Sequence, residues 1–139
     1  MREIKFRAWD KERKEIIPDL EDHYIIEIEG YSTLIFGEPL TSKLKINEYI
    51  KPERIILMQF TGLKDNNGKE IYEGDIIQIP DYYYGDFFEK SHKNIVVFID
   101  GGFDCYIKKE DMFDDLADIA MNELIEVIGN IYENPELIK

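Results

Sequence analysis

Cysteine is almost missing from this sequence, and long hydrophobic runs are absent. Cys105 is the single cysteine among 139 residues, so no intrachain disulfide can form and a reducing cytoplasm is the simplest setting. No apolar run approaches the roughly 18–20 residues that a membrane-spanning helix needs. The N-terminus mixes charged and apolar residues and lacks the apolar segment of a signal peptide. We therefore expect a cytoplasmic protein with no membrane partner.

The motifs of familiar enzyme chemistry are also missing. There is no phosphate-binding loop, dinucleotide fingerprint, paired-cysteine zinc motif or nucleophile elbow. His23 and His92 have no nucleophile motif beside them, and a Cys–His pair would need proximity in space to Cys105. A free cysteine in a strand-like segment behaves as a small buried hydrophobe. The sequence thus predicts no enzyme, no cofactor and no metal site.

Basic residues are few and unevenly placed. There are 17 Lys and Arg against 30 Asp and Glu, a net charge of −13 that disfavours direct nucleic-acid binding. Residues 1–14 contain six bases and three acids, whereas residues 110–138 contain nine acids and no base. This polarity suits head-to-tail pairing of subunits, steering of a basic partner, or an acidic surface without a partner.

Apolar periodicity predicts short strands and one late helix. An apolar fraction of 44% is enough for the core of a single domain over residues 1–139. Alternation in residues 2–9 places Ile4, Phe6 and Ala8 on one face of a strand. Residues 15–17 are expected to pair back on it. Further strands are predicted at 24–28, 31–36, 55–60, 76–79, 94–99, 103–107 and 124–132, with a loop or short helix at 42–50.

Residues 57–79 form the most distinctive stretch, LMQFTGLKDNNGKEIYEGDIIQI. Asn67 and Gly68 tolerate the positive φ angles of a tight turn. Glu73, Gly74 and Asp75 then mark a corner in which the aspartate is expected to accept backbone N–H bonds. We interpret these residues as architectural.

The late helix is predicted over residues 110–121. Its spacing would align four carboxylates on one face, those of Asp111, Asp114, Asp115 and Asp118. Carboxylates in such a row bind a hard cation, attract a basic partner, or form a solvated and capped face. No histidine or calcium-loop spacing completes a cation site.

An aromatic segment between the predicted strands is the candidate interface. It contains Tyr82, Tyr83, Tyr84, Phe87 and Phe88. Five aromatic side chains in seven residues bury a large area at low entropic cost when they meet another protein. The segment is interpreted as a contact between subunits, or as a hairpin that folds onto its own domain.

Three blocks resemble the YopX-like family of small phage and prophage proteins: REIKFRAWD, MQFTGLKDNNGKEIYEGDII and EVIGNIYENPELI. The resemblance implies a mainly β (α+β) fold, an SH3-like small barrel with extra strands and the late helix. It also implies a temperate phage or integrated element in a host bacterium, and homo-oligomers. It supplies no catalytic residues.

Four functions follow from these observations. The first is a non-enzymatic, homo-oligomeric accessory protein that binds a host or phage protein. The second is an acidic mimic of nucleic acid that regulates a host DNA-binding protein. The third is a hydrolase that uses the carboxylates of the late helix as acid and base. The fourth is direct nucleic-acid binding through the basic residues 2–14.

Overall fold

The computed structural model describes residues 3–17, 23–28, 31–36, 45–50, 54–79, 92–107, 111–117 and 125–139. In these residues the chain is mainly β, as predicted. The strands are β1 (Phe6–Asp10), β2 (Glu15–Ile17), β3 (His23–Ile28), β4 (Tyr31–Phe36), β5 (Lys45–Ile50), β6 (Ile55–Lys64), β7 (Glu70–Tyr72), β8 (Asp75–Ile79), β9 (His92–Ile99), β10 (Gly102–Ile107), β11 (Met112–Asp115) and β12 (Glu126–Asn130). A 3₁₀ helix, Pro135–Ile138, follows. None of the helices within the described ranges is long and apolar enough to cross a membrane.

The chain forms two compact units, and the boundary between them lies inside β6. The N-terminal unit is Ile4–Gln59, and the C-terminal unit comprises Met1–Glu3 and Phe60–Lys139. The first half of β6 pairs with β1, and its second half pairs with β7. Closure of the strands into an SH3-like barrel and a single domain over residues 1–139 both stay predictions.

The N-terminal unit contains the predicted hairpin. Strands β1 and β2 pair antiparallel across the turn, with Trp9 opposite Ile16. A three-stranded antiparallel sheet has the order β3-β4-β5. The loop or short helix predicted at 42–50 is therefore wrong for Lys45–Ile50, because this segment pairs antiparallel with β4, with a shift of register between Thr33 and Ile35. Ile46 stands opposite Ile35, and such an aliphatic cross-strand pair favours a strand.

The alternation predicted for residues 2–9 is only partly correct. Ala8 is buried as expected, but Ile4 is 68% exposed and Phe6 is also exposed. Strand β1 begins at Phe6, so the N-terminal end of the pattern lies outside the paired region. Arg7 was expected on the solvent face and is buried, with Nη2 at 3.7 Å from the Sδ atom of Met58. The alkyl stem of an arginine makes such burial possible.

A buried ion pair closes the β1–β2 hairpin. The Arg54 guanidinium donates from Nε and Nη2 to the two oxygens of Asp10, at 2.9 and 2.8 Å. The same carboxylate accepts the backbone N–H groups of Glu12 and Arg13. These bonds, led by that from Arg54, hold the pKa of Asp10 below its usual value. Asp10 therefore fixes the start of the turn.

The Asp10→Asn variant tests this pair. We expect it to lower the free energy of unfolding by about 3 kcal/mol at pH 7, because the buried Arg54 loses its buried counter-charge and keeps the exposed Glu12. The wild-type carboxylate is ionised fully above the unfolded pKa of about 4 and loses its charge as the pH falls through its lower folded pKa. The difference between the two proteins, measured by urea unfolding, should therefore shrink from pH 7 to pH 2.5.

The Glu12→Gln variant is the matched control. Glu12 also pairs with Arg54, at 3.2 Å, but its side chain is 72% exposed. We expect its loss to cost less than about 1 kcal/mol. An equal cost for both variants, or a pH-independent difference for Asp10→Asn, would contradict the assignment.

The C-terminal unit is built on a five-stranded antiparallel sheet with the order β11-β10-β9-β8-β12. One face of this sheet carries the core, which gathers apolar side chains from the strands and from two flanking positions. The buried cluster consists of Ile71, Ile77, Ile79, Val96, Cys105, Leu116, Ile125 and Val127. The predicted hairpins β8–β9 and β9–β10 are present.

The predicted helix over residues 110–121 is wrong for Met112–Asp115, which form the edge strand β11. Asp111 has φ of 49°, a left-handed conformation that a right-handed helix cannot contain. It makes the turn that returns the chain beside β10, where Phe113 stands opposite Tyr106. Aspartate is also a weak helix former, so pairing at the sheet edge prevails. Leu116 and Ala117 begin a helical turn, and Asp118 lies outside the described residues.

The carboxylate of Asp65 joins two parts of the C-terminal unit. Its Oδ1 atom accepts the N–H groups of Asn67 and Lys69 at 2.9 and 2.8 Å. Its Oδ2 atom accepts the N–H of Val127 in β12 at 3.0 Å. A turn and a strand distant in sequence are thus held by one buried side chain. Gly68, with φ of 80°, completes the turn as predicted.

The Glu73-Gly74-Asp75 corner is confirmed in detail. The buried Asp75 accepts the N–H of Tyr72 at 2.8 Å, as expected from the sequence. Gly74 has φ of 85°; its N–H donates to Val96, and its carbonyl accepts the N–H of Ile131. The corner therefore contacts both neighbours of β8. These contacts support the architectural interpretation of residues 57–79.

Replacement of Asp65 by Ala should destabilise the protein strongly. Three backbone donors would lose their acceptor, and we expect a loss of about 3 kcal/mol in the free energy of unfolding, measured by urea denaturation. Asn66→Ala is the control, because Asn66 is exposed and bonds Ile125 through its main chain, which alanine retains. Similar midpoints for the two variants would refute the proposed role.

Candidate interaction surface

The face of the sheet opposite the core exposes an aromatic pair. In an antiparallel sheet, residues directly opposite each other share a face, and this face alternates along each strand. Tyr106 stands opposite both Phe113 of β11 and Ile95 of β9. The rings of Tyr106 and Phe113 lie 4.9 Å apart, and Phe113 is 49% exposed. We call Ile95, Tyr106 and Phe113 the outer aromatic patch.

Carboxylates border the outer aromatic patch. The hydroxyl of Tyr106 donates to Oδ1 of Asp111 at 2.9 Å, and this bond raises the pKa of the phenol. Asp104 and Asp115 stand opposite each other on the same face. Each is two residues along its strand from the aromatic pair, Asp104 from Tyr106 and Asp115 from Phe113. Like charges at opposed positions of two strands repel each other. The surface is both apolar and acidic, which suits a basic protein.

A pocket lies where β11 ends. Its volume is about 320 Å³. Apolar walls come from Leu63, Phe103 and Leu116, which belong to the core or pack against it. The other lining residues are Thr61, Gly101, Gly102, Asp115 and Ala117. Phe98 continues the apolar surface, since its ring meets that of Phe103 edge-on at 5.0 Å and is 48% exposed. Asp115 belongs to both the outer face and the pocket.

Cys105 lies on the core side of the same strands. It is fully buried, opposite Val96 and Asp114. Burial is the main cause that raises the pKa of its thiol, and the nearby Asp114 and Asp104 carboxylates raise it further. The thiol therefore stays neutral, as the sequence led us to expect of a small buried hydrophobe.

The native protein should be inert to thiol reagents. Reaction needs an accessible thiolate, and Cys105 offers neither accessibility nor ionisation. We expect its reaction with dithiobis(nitrobenzoic acid) at pH 8 to be at least about 100-fold slower in the folded protein than in urea. The unfolded protein is the internal control. Rapid modification of a fully folded sample would contradict the buried, neutral thiol.

The residues predicted as an interface lie outside the described residues. These are Tyr82, Tyr83, Tyr84, Phe87 and Phe88. The four aspartates predicted on one helical face are separated: Asp114 and Asp115 are adjacent in a strand and so lie on opposite faces, and Asp118 is not described. No group of three His, Cys, Asp or Glu side chains that could hold a metal ion occurs among the residues that the structure describes.

The basic N-terminal segment is also divided. Arg7 is buried, whereas Lys11, Arg13 and Lys14 are exposed on the β1–β2 turn. Trp9 is buried, with 9% exposure. Among the described basic residues of the segment, those of the turn are exposed and Lys5 is partly buried.

Sequence reasoning missed the outer aromatic patch. The signal was present, because Tyr106 and Phe113 flank the segment 107–112, whose four central residues are charged, at a separation that a hairpin brings together. Interpreting residues 110–121 as a helix concealed it. The pocket had no local signal, since it combines residues more than fifty positions apart.

Known proteins share both the sequence and the fold. A family model described as YopX protein matches residues 5–139. The crystal structure of protein EF1440 from Enterococcus faecalis is 31% identical, with 100% of both chains covered and a TM-score of 0.62. Protein yopX from Bacillus subtilis is 28% identical, with 97% of this chain and 95% of that one covered and a TM-score of 0.62. A search of curated proteins found no match.

Proposed function

Since this chain belongs to the YopX protein family, we propose that it is a non-enzymatic, homo-oligomeric accessory protein that binds a basic protein through the outer aromatic patch. A temperate phage or an integrated element encodes it in this proposal. The observation that carries the proposal is the ring contact between Tyr106 and Phe113 on the face away from the core, where Phe113 is 49% exposed and Tyr106 is partly buried. Aromatic side chains of this kind are common energetic centres of protein interfaces.

The buried polar residues support a function outside catalysis. Asp65 and Asp75 accept main-chain N–H groups, and Asp10 is paired with Arg54. These carboxylates, buried and bonded within the fold, stabilise the structure. The distinctive sequence blocks therefore specify the fold, and the exposed face of β10 and β11 remains for a partner.

The charge of the chain supports a basic partner. The net charge is −13, and Asp104, Asp111 and Asp115 lie beside the patch. Charges at the rim of an interface accelerate association and select partners of opposite sign. Binding should accordingly weaken as salt rises.

The acidic mimic and the hydrolase have less support. Both were predicted on a helix with four aligned carboxylates, and Met112–Asp115 is a strand instead. Asp114 turns toward the core side, opposite Cys105, while Asp115 lies on the outer face. The described carboxylates do not form a continuous row like the phosphates of nucleic acid.

Replacement of Phe113 by Ser should weaken partner binding. Tagged wild-type protein and the variant would be used to capture proteins from host lysate, with quantification by mass spectrometry. We expect at least about a fivefold loss of every specifically captured protein, the effect of removing one central aromatic contact.

Leu57→Ser is the matched control for this capture. Leu57 is 47% exposed, close to the value for Phe113, but belongs to the N-terminal unit. It should retain the captured proteins. Equal capture by all three proteins would refute the patch, and a particle of 16.5 kDa in light scattering would refute the homo-oligomer.

A further inference from the structure

The turn that Asp65 organises carries an asparagine followed by a glycine at the protein surface. Asn67 and Gly68 are both exposed. Asparagine is a thermolabile residue, and a following glycine has no Cβ that would hinder attack by its nitrogen on the asparagine side chain. We propose that Asn67 is a site of spontaneous deamidation and that the hydrogen bonds to Asp65 control its rate. This inference is independent of the outer aromatic patch.

The reaction is a ring closure followed by hydrolysis, and water is the only co-reactant. The main-chain nitrogen of Gly68 attacks the Cγ atom of Asn67 and loses its proton. A bond forms between these two atoms, the bond from Cγ to the amide nitrogen breaks, and ammonia leaves. Water then opens the cyclic succinimide at one of its two carbonyl groups. Opening at the former main-chain carbonyl gives isoaspartate, in which the chain continues through the former side chain; opening at the other gives aspartate.

The folded turn restrains the attacking nitrogen. The N–H of Gly68 donates to the carbonyl oxygen of Asp65 at 3.0 Å. The N–H groups of Asn67 and Lys69 donate to the Oδ1 atom of the same residue at 2.9 and 2.8 Å. Three consecutive main-chain N–H groups are thus bonded to one residue, so the Gly68 nitrogen reaches the side chain of Asn67 only when the turn opens. The rate should therefore follow the population of the open turn.

Isoaspartate at position 67 would damage the turn that restrained the reaction. It adds one carbon atom to the main chain between the N–H groups of residues 67 and 68. This changes the spacing of the donors that share the Oδ1 atom of Asp65. Both products also place a new negative charge near that carboxylate. Because the Oδ2 atom of Asp65 accepts the N–H of Val127, the damage extends to β12.

Incubation of the full chain at pH 8, with and without guanidinium chloride, tests the site. Peptide mass spectrometry would quantify aspartate and isoaspartate at position 67. We expect Asn67 to react at least about tenfold faster in the denatured protein, since the turn is then fully open. It should also react faster there than every other asparagine, because no other asparagine in the sequence precedes a glycine. Slower reaction of Asn67 than of another asparagine would overturn the site, and equal rates in both states would overturn its control by the fold.

Two variants of similar expected stability separate local opening of the turn from global unfolding. Asp65→Ala removes the carboxylate that binds the turn, whereas Asp10→Asn acts in the N-terminal unit. In the folded proteins, verified by circular dichroism, Asp65→Ala should accelerate deamidation of Asn67 at least about fivefold, the effect of one lost hydrogen bond. Asp10→Asn should change the rate less than about twofold. Equal acceleration in both variants would refute control by the turn.

Hydrogen exchange of the wild type gives the same test if Asp65→Ala does not fold. The amides of Gly68 and Lys69 should exchange at least about tenfold more slowly than in an unfolded peptide of the same sequence. Exchange at the peptide rate would show that the turn does not restrain the Gly68 nitrogen.

The consequence for stability is tested with the product itself. The isoaspartate form would be separated by ion exchange and compared in urea with Asn67→Asp, which carries the same added charge on a normal main chain. We expect the isoaspartate form to unfold at a urea concentration lower by at least about 0.5 M. Equal midpoints would refute the damage by the lengthened chain.

Discussion

One buried carboxylate, that of Asp65, supports the organisation of the C-terminal unit. It accepts two N–H groups from its own turn and one from Val127, which is 62 positions later. A buried acceptor with three donors is satisfied only when the turn and β12 are both in place. Because β12 pairs with β8, the hydrogen bond from Val127 to Asp65 also holds β12 in its place in the five-stranded sheet. The local turn and the long-range pairing thus depend on the same side chain.

The most distinctive polar residues of the sequence are bonded within the fold. The turn at Asp65, the corner at Asp75 and the buried ion pair of Asp10 direct their polar atoms into the protein. On the side of β10 and β11 away from the core, Phe113 is 49% exposed and Tyr106 is partly buried. There Tyr106 and Phe113 stack without contributing to the core. The division between a polar framework inside and an aromatic surface outside is the basis of the proposed binding role.

The single physical change with the largest consequence is the left-handed turn at Asp111. A helix over residues 110–121 would have aligned aspartates along one side, with cation binding or mimicry of nucleic acid as its uses. The turn instead makes residues 112–115 an edge strand, so that Asp114 and Asp115 lie on opposite faces. Asp114 then faces the core side beside Cys105, and Asp115 becomes part of a pocket. The backbone conformation of Asp111 is thus associated with the separation of Asp114 from Asp115, which the cation-binding and nucleic-acid-mimic hypotheses had placed on one helical face.

The sequence by itself determined the mainly β class, the family, the hairpin of β1 and β2, and the corner at Gly74. Each depends on local chemistry: alternation of apolar residues, glycine at positive φ, and aspartate beside free N–H groups. Only the tertiary structure decided that Lys45–Ile50 and Met112–Asp115 are strands, because their partner strands supply hydrogen bonds that override weak local preferences. It also decided the pocket, since its lining residues Leu63, Phe103 and Asp115 come from strands more than fifty residues apart at the extremes.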